Sequence, residues 1–203
     1  MATYMGLKRL VIENRSYRRF NQDYVIGDDT LVDLVNLARF TASGANLQPL
    51  KYFISNEHKF NEKIFFHIRW AGYLEDWKEP QEGEKPTAYI LILGDKKISN
   101  FDNWPSILDA GIAAQTIMLG ATEQKLGGCM IAAINRDELH KSIGLDDNLE
   151  IIMVLALGKP DEDVVLESTG AKNDIKYYRD EKSVHHVPKR NLDEIIVNRE
   201  LKD

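Results

Sequence analysis

The longest helix that the sequence predicts is PSILDAGIAAQTIMLGATEQKL, residues 105–126. Its proline stands near the start, where a missing backbone N–H costs nothing. The only charged residues in this stretch are Asp109, Glu123 and Lys125, and glycines and alanines are interspersed among large apolar residues. A helix that is apolar around most of its circumference is buried on nearly all sides. We therefore expect it to lie in the core, with a second subunit covering part of it.

Shorter elements surround this helix in the sequence. Apolar runs predict strands at residues 52–54, 89–93, 127–133 and 151–157. Amphipathic spacing predicts helices near residues 7–11, 28–40 and 57–68, and short helices after Asn135 and Asn191. The sequence predicts a loop at residues 41–49, a surface excursion or lid at residues 69–86 and an extended polar arm at residues 161–190. Strands and helices alternate, so the pattern indicates an α+β or α/β domain.

Composition narrows the class of protein. At 203 residues the chain suits one domain, although two small ones also fit. No apolar run approaches the roughly 20 residues of a membrane span, and no signal peptide is evident, so we expect a cytoplasmic protein without membrane contact. The single cysteine, Cys129, lies among small apolar residues and is expected to be buried rather than reactive. The histidine spacing does not favour a metal site.

A cluster of arginines, NRSYRRF at residues 14–20, stands out in a chain with 32 acidic and 26 basic residues. A local group of cations in an acidic protein favours a small anionic ligand over nucleic acid. The alternative is a solvated arginine face at a helix end. No glycine fingerprint of the dinucleotide-binding or P-loop type follows any predicted strand, so neither of those folds is indicated.

Four motifs occur in the order and spacing of a known family. They are NRSYRRF (14–20), SGANLQP (43–49), LGGC (126–129) and VPKR (187–190). With them, nearly the whole chain resembles the nitroreductases, which are FMN-dependent NAD(P)H oxidoreductases. The resemblance implies an α+β fold, with a central and mostly antiparallel sheet flanked by helices and a long buried helix at a dimer interface. It also implies a single domain over residues 1–203 whose C-terminal arm, about 161–203, wraps the partner subunit.

The resemblance assigns the cations to the two ends of the flavin. Arg15, Ser16, Lys189 and Arg190 are implied at the phosphate, where the guanidinium fork suits bidentate binding. Arg18 is implied beside the N1/C2=O edge, where its charge would stabilise the reduced ring. Many family members carry a further arginine where this chain has Asn14. Asn14 either donates a neutral hydrogen bond to the phosphate or leaves more of the charge to the C-terminal pair.

Two further motifs are implied to contact the flavin. Ser43, Asn46 and Gln48 match a loop that commonly reaches the flavin of the other subunit. The chain departs there twice, with Ala42 for a frequent proline and Leu50 for a frequent tryptophan. Gly127 and Gly128 match a turn whose backbone approaches N5 of the ring. From the residues alone, the loop amide is equally a capping group and the glycines equally a plain turn.

The implied activity is hydride transfer from NADH or NADPH through FMN to an electron-poor organic acceptor, by a ping-pong mechanism in a homodimer with two interfacial flavins. No side chain stands out as a general acid or base, as expected where the cofactor carries the chemistry. The alternatives are a non-catalytic flavin-binding or sensor protein, and a flavoenzyme dedicated to one metabolite, such as a dehydrogenase or dehalogenase. Two groups of side chains either touch ligand or merely pack: Trp70, Tyr73 and Trp77, and Tyr177, Tyr178, His185 and His186.

Overall fold

The computed structural model describes residues 6–74, 77, 79–99, 104–169 and 174–198, with only the backbone described at 104–106. Its contacts divide the chain into two compact units. The first unit comprises Met1–Trp70 and Glu79–Asp161, and the second comprises Ala71–Lys78 and Glu162–Asp203.

The first unit is built on an antiparallel sheet. Its strands are β1 (Phe20–Asn21), β2 (Leu50–Ser55), β3 (Ala88–Asp95), β4 (Gly127–Ile131) and β5 (Leu149–Pro160). β5 pairs with β3 along one side, and on its other side it pairs first with β4 and then, at Lys159 and Pro160, with β1. β2 pairs with the outer side of β3. Every residue of β3 is buried, as the continuous apolar run at 89–93 predicts for a central strand.

Among its described residues, the first unit has five α-helices. They are α1 (Leu7–Glu13), α2 (Asp28–Arg39), α3 (His58–Phe66), α4 (Trp104–Glu123) and α5 (Arg136–Ile143). Leu31, Leu34 and Ala38 form the buried stripe of α2, which packs on α4 and on one face of the sheet. Because side chains alternate along a strand, β3 also offers residues to its other face, where α3 packs on β3 and α5 packs on β5 and α3. The helices thus cover both faces of β3.

α4 is buried on one side only within this chain. Ala113, Ala114, Ile117 and Ala121 are fully buried against α2 and the sheet. On another side, Ile107, Leu108 and Ile112 remain between 44% and 51% exposed. The predicted apolar circumference is therefore correct, but the single chain does not cover all of it.

The second unit contains a small sheet that the sequence did not predict. Its strands are β6 (Val164–Thr169), β7 (Tyr178–Arg179) and β8 (His185–Arg190), followed by the short helix α6 (Leu192–Ile195). β6 runs parallel to β8, and β7 runs antiparallel to it. The prediction of an extended arm without packed elements was wrong, whereas the predicted cap at Asn191 is confirmed by a capping box with Glu194.

The α+β class with a mostly antiparallel sheet is confirmed, and so is the burial of Cys129. Within the described residues, no helix has both the length and the apolar character that a membrane crossing requires. The cytoplasmic location stays a prediction.

Candidate functional site

The arginine cluster lies beside the start of β4. Ser16 forms a parallel bridge with Gly128, and the Tyr17 backbone N–H donates to the Gly128 carbonyl oxygen at 3.0 Å. Two of the four motifs, far apart in the sequence, therefore meet. They do so at the end of β5 where β1 pairs, since Gly127 lies opposite Gly158 and Phe20 opposite Pro160.

Close packing explains why both positions of the pair are glycine. A Cβ on Gly128 would overlap the carbonyl oxygen of Ala156, and one on Gly127 would overlap the Tyr17 ring and come within 2.6 Å of Pro160 Cγ. These contacts lie within the chain itself. The glycines are thus required by packing, and their approach to a flavin stays a prediction.

The three arginines of the cluster differ in their surroundings. Arg15 donates from Nη2 to the Val11 carbonyl at 2.7 Å, while its buried Nε has no hydrogen-bond partner among the described residues. Burial lowers the pKa of the Arg15 guanidinium. Arg18 is only 8% exposed and donates from Nη1 to the Ser16 carbonyl at 3.2 Å. Arg19 is partly buried and pairs with Glu84 at 3.4 Å.

Asn14 is directed into the fold. Its amide donates to the Met118 carbonyl and to Thr122 Oγ1, both at 3.0 Å, and its oxygen accepts a bond from Gln115 Nε2 at 3.2 Å. All three partners lie on α4, so the hydrogen bonds of Asn14 connect the end of α1 to that helix. In this arrangement both amide protons are already donated, which leaves none for a phosphate.

The SGANLQP loop is closed by a chain of hydrogen bonds that ends on Asp109 of α4. The Gln48 backbone N–H donates to Ser43 Oγ at 3.0 Å, and Ser43 Oγ donates to Asp109 Oδ2 at 2.6 Å. The Gly44 N–H donates to Asp109 Oδ1 at 3.0 Å. The side chains of Asn46 and Gln48 are exposed.

A cavity of about 310 Å³ opens beside this loop. Its lining includes Ser43, Gln48, Tyr52 and Asp109, with the cations Arg39 and Lys51. Burial, with a smaller contribution from the charge of Asp109, raises the pKa of Tyr52 to about 12. Tyr52 therefore stays a neutral hydrogen-bonding group at physiological pH.

Within one chain the loop and the arginine cluster contact α4 at different places. The loop binds Asp109, and Asn14, next to the cluster, binds Met118 and Thr122. Asp109 and Met118 are nine positions apart, which corresponds to about two and a half turns and about 14 Å along the axis. A half-integral number of turns puts these two contacts on roughly opposite sides of α4. A single chain thus holds the two motifs apart.

The C-terminal cations belong to the second unit. Lys189 and Arg190 end β8 and are exposed, and Arg190 Nη1 lies 3.5 Å from the Glu194 carboxylate. Their predicted role at the phosphate stays a prediction.

The aromatic residues in question have packing partners. Trp70 is 7% exposed against Phe65. In the second unit Tyr73 packs on Tyr177, and Arg179 lies over the Trp77 ring, 4.6 Å from its centroid.

Sequence reasoning missed Asp109 and Tyr17 as residues that organise the site. The available signal for Asp109 was its position as a lone carboxylate in the most apolar part of the predicted helix. A carboxylate in such a place needs partners, and here Ser43 and Gly44 provide them. Among the described residues, no group of three or more His, Cys, Asp or Glu side chains is arranged to hold a metal ion.

Comparison with known proteins gives one consistent family. Residues 11–159 match the model of the nitroreductase family. A provisionally named NADH dehydrogenase/NAD(P)H nitroreductase of Archaeoglobus fulgidus is 22% identical, over 76% of this chain and 86% of its own.

Two solved structures have similar folds. One is a nitroreductase family protein from Clostridium difficile, with 26% identity, 78% of this chain and 86% of that chain covered, and a TM-score of 0.63. The other is a provisionally identified nitroreductase from Desulfovibrio desulfuricans, solved in complex with FMN. It is 19% identical, covers 98% of this chain and 100% of its own, and has a TM-score of 0.71.

Proposed function

Because this chain belongs to the nitroreductase family, we propose that it is an FMN-dependent oxidoreductase that takes hydride from NADH or NADPH and passes it to an electron-poor organic acceptor such as a nitroaromatic or a quinone. The observation that best supports this proposal is the environment of the Arg15 guanidinium. Its guanidinium is partly buried, lacks an acidic partner among the described residues and leaves Nε without a hydrogen bond. A partly buried cation with an unpartnered nitrogen is suited to an anionic ligand.

The surrounding residues fit an FMN phosphate. The exposed Ser16 follows Arg15 directly, and the bridge from Ser16 to Gly128 holds the backbone of the cluster against β4. Arg19 pairs with Glu84, whereas Arg15 has no acidic partner among the described residues. Arg15 would hold the phosphate in a bidentate manner, and Ser16 would donate a hydroxyl to it. Lys189 and Arg190 are proposed to add charge at the same group.

Bound FMN would supply the redox chemistry, by accepting hydride from the nicotinamide and releasing it to the acceptor in a separate half-reaction, which gives ping-pong kinetics. The chain supplies position and charge. Arg18 would lie at the N1/C2=O edge, where its buried charge favours the reduced ring, because a cation acts most strongly where water is excluded.

We propose that the active form is a homodimer in which each flavin contacts both subunits. The loop and Asn14 of the arginine cluster contact α4 on roughly opposite sides, about 14 Å apart along its axis, which favours a site in which a second copy contributes one of the two motifs. The exposed apolar residues of α4 and of α1, which packs on it, support a subunit interface there. They are Leu7, Val11, Ile12, Ile107, Leu108 and Ile112. The C-terminal arm is proposed to reach the partner.

Purification followed by anaerobic reduction tests the proposed function. The protein should retain FMN or take it up, and NADH or NADPH should bleach the visible absorbance of the bound flavin within seconds. Adding a benzoquinone or nitrobenzene derivative should restore the absorbance, and double-reciprocal plots of the steady-state rate should be parallel. A protein that takes up no FMN would contradict the proposal. Uptake of FMN without bleaching by either nucleotide would identify a flavin-binding protein instead.

A further inference from the structure

The SGANLQP loop adopts a backbone that the chain does not favour by itself. Ala45, Asn46 and Gln48 have φ values of 49°, 55° and 51°. This left-handed region is unfavourable for residues with a side chain, more so for alanine and glutamine than for asparagine. Three such residues within four positions persist only if other contacts hold the loop.

Asp109 provides those contacts from outside the loop. It is 5% exposed, and its two carboxylate oxygens accept bonds from the Ser43 hydroxyl and the Gly44 N–H. The Ser43 hydroxyl accepts the Gln48 N–H in turn. One carboxylate therefore fixes the beginning of the left-handed segment directly and its end through Ser43. Bonds to an ionised acceptor are stronger than neutral ones, which suits a loop that must be kept in a strained form.

The same bonds limit what Ser43 can do. Its one hydroxyl proton is donated to Asp109, so it has none for a flavin. Asn46 and Gln48 have exposed side chains, and Gln48 Nε2 donates to the Asn46 backbone carbonyl oxygen at 3.3 Å. The groups that the loop offers to a ligand are therefore chiefly these two amides.

We propose that Asp109 is a positioning residue for the flavin site. Its carboxylate locks Ser43 and so holds the loop in the left-handed form that presents the Asn46 and Gln48 amides to the FMN of the opposite subunit. This inference rests on the proposed function, and it changes the role of Ser43 from a flavin donor to a link between Asp109 and the loop. The cavity beside the loop gives the released segment room to move when the link is broken.

Amide hydrogen exchange of the FMN-free protein tests the lock without any activity. In Asp109→Asn, exchange of the Gly44 and Gln48 amides should rise at least tenfold, since a charge-assisted acceptor is lost. Glu123→Gln is the matched control, because Glu123 is an exposed carboxylate at the far end of the same helix. It should leave exchange in the loop unchanged. Parent-like exchange in Asp109→Asn would overturn the proposal.

Titration with FMN tests the positioning. Asp109→Asn should raise the Kd for FMN roughly tenfold or more and shift the visible absorption bands of the bound flavin, whereas Glu123→Gln should do neither. Ser43→Ala should reproduce both effects, and the double variant should be no worse than either single one, because the two residues act through one link. Additive losses would overturn the link, and unchanged Kd and spectrum in Asp109→Asn would overturn the role.

Failure of the proposed function can be told apart from failure of the proposed role of Asp109. If the parent protein takes up no FMN, the proposed function fails, and the exchange experiment still decides whether Asp109 locks the loop. If Asp109→Asn does not fold, Ser43→Ala removes a single oxygen, and the same exchange, Kd and spectral measurements on it decide the proposal.

Discussion

The backbone N–H of Tyr17 donates to the carbonyl oxygen of Gly128 at 3.0 Å, and the Tyr17 ring occupies the space that a side chain on Gly127 would need. One tyrosine therefore ties the arginine cluster to β4 by a main-chain bond and by packing. The position of Arg15, Ser16 and Arg18 depends on this contact.

Gly128→Ala should lower the free energy of unfolding by about 2 kcal/mol or more, because the new methyl group overlaps a backbone oxygen that cannot move aside. Urea unfolding at pH 7 measures the change. Gly27→Ser is the control, since a Cβ there meets no atom within 4 Å and serine is a preferred N-cap for α2. A Gly128→Ala protein as stable as the parent would show that the backbone of β4 shifts to accommodate the methyl group.

Asn14→Ala should cost about 1–2 kcal/mol of stability, because its hydrogen bonds to α4 are lost. FMN affinity should change by less than about threefold, since the amide protons are used inside the fold. The exposed Asn36→Ala on α2 is the comparison and should stay within about 0.5 kcal/mol of the parent. A large loss of FMN affinity at unchanged stability would instead indicate that Asn14 binds the phosphate.

Arg15→Ala and Arg18→Ala should separate binding from reduction. Arg15→Ala should weaken FMN binding by roughly tenfold or more, because a charged contact to the phosphate is removed. Arg18→Ala should lower the midpoint potential of the bound flavin and slow its reduction by NADH or NADPH. Equilibrium dialysis and anaerobic potentiometry measure the two effects. Parent-like binding and potential in both variants would indicate that the arginines only pack or face solvent.

Ile112→Arg should convert a dimer into a monomer and reduce FMN retention in parallel, because it places a charge in the exposed apolar face of α4. Light scattering coupled to size-exclusion chromatography measures the mass. Phe66→Arg is the control, since Phe66 is 82% exposed on α3, away from that face. Two variants of equal mass and equal FMN content would place the interface elsewhere.

His186 should make the stability of the second unit depend on pH. Its Nδ1 lies 2.5 Å from Glu167 and its Nε2 lies 3.4 Å from Asp180. The bond to Glu167, followed by the contribution of Asp180, raises the pKa of His186 above its ordinary 6.5. A raised folded-state pKa means that the stabilisation is complete below pH 6.5 and is lost as the pH rises through the raised value.

Asp180 acts in the opposite direction at acid pH. Its bond from the Val184 N–H, with the contribution of His186, lowers its pKa below the ordinary 3.8, so this stabilisation is lost as the pH falls through the lowered value. The unfolding midpoint, measured between pH 3 and pH 9, should therefore decrease both toward acid pH and toward alkaline pH. His186→Gln should flatten the alkaline side, whereas the exposed His58→Gln should not. An unchanged profile in His186→Gln would show that His186 does not cause the loss of stability at alkaline pH.

Most of the elements that the sequence predicted correctly have a long apolar run or a repeating apolar spacing. The apolar run at 89–93 predicted a strand buried on both faces, and the periodicity of Leu31, Leu34 and Ala38 predicted α2, because in each case local sequence and burial agree. The strands of the second unit lacked such a pattern. Pro188 in particular argues against a strand. It is accommodated because β7 pairs only with His185 and His186, so that side of β8 has no described strand partner at Pro188.

The order of the motifs predicted the family, but it predicted neither the contact of the arginine cluster with the glycine pair nor how individual side chains are used. That Asn14 binds α4, or that Ser43 donates to Asp109, depends on which faces of distant elements come together. Such choices are tertiary, and a single sequence does not record them.

The pairing of Phe20 with Pro160 and of Asn21 with Lys159 bears on how the protein is made. The arginine cluster leaves the ribosome early, yet the end of β5, which pairs with Phe20 and Asn21, is among the last parts of the first unit to be synthesised. At about 5–20 residues per second, the cluster waits on the order of ten seconds for that strand. A newly made chain therefore exposes its cations before β5 is complete, and an arrest of translation just before residue 160 would leave Phe20 without its strand partner.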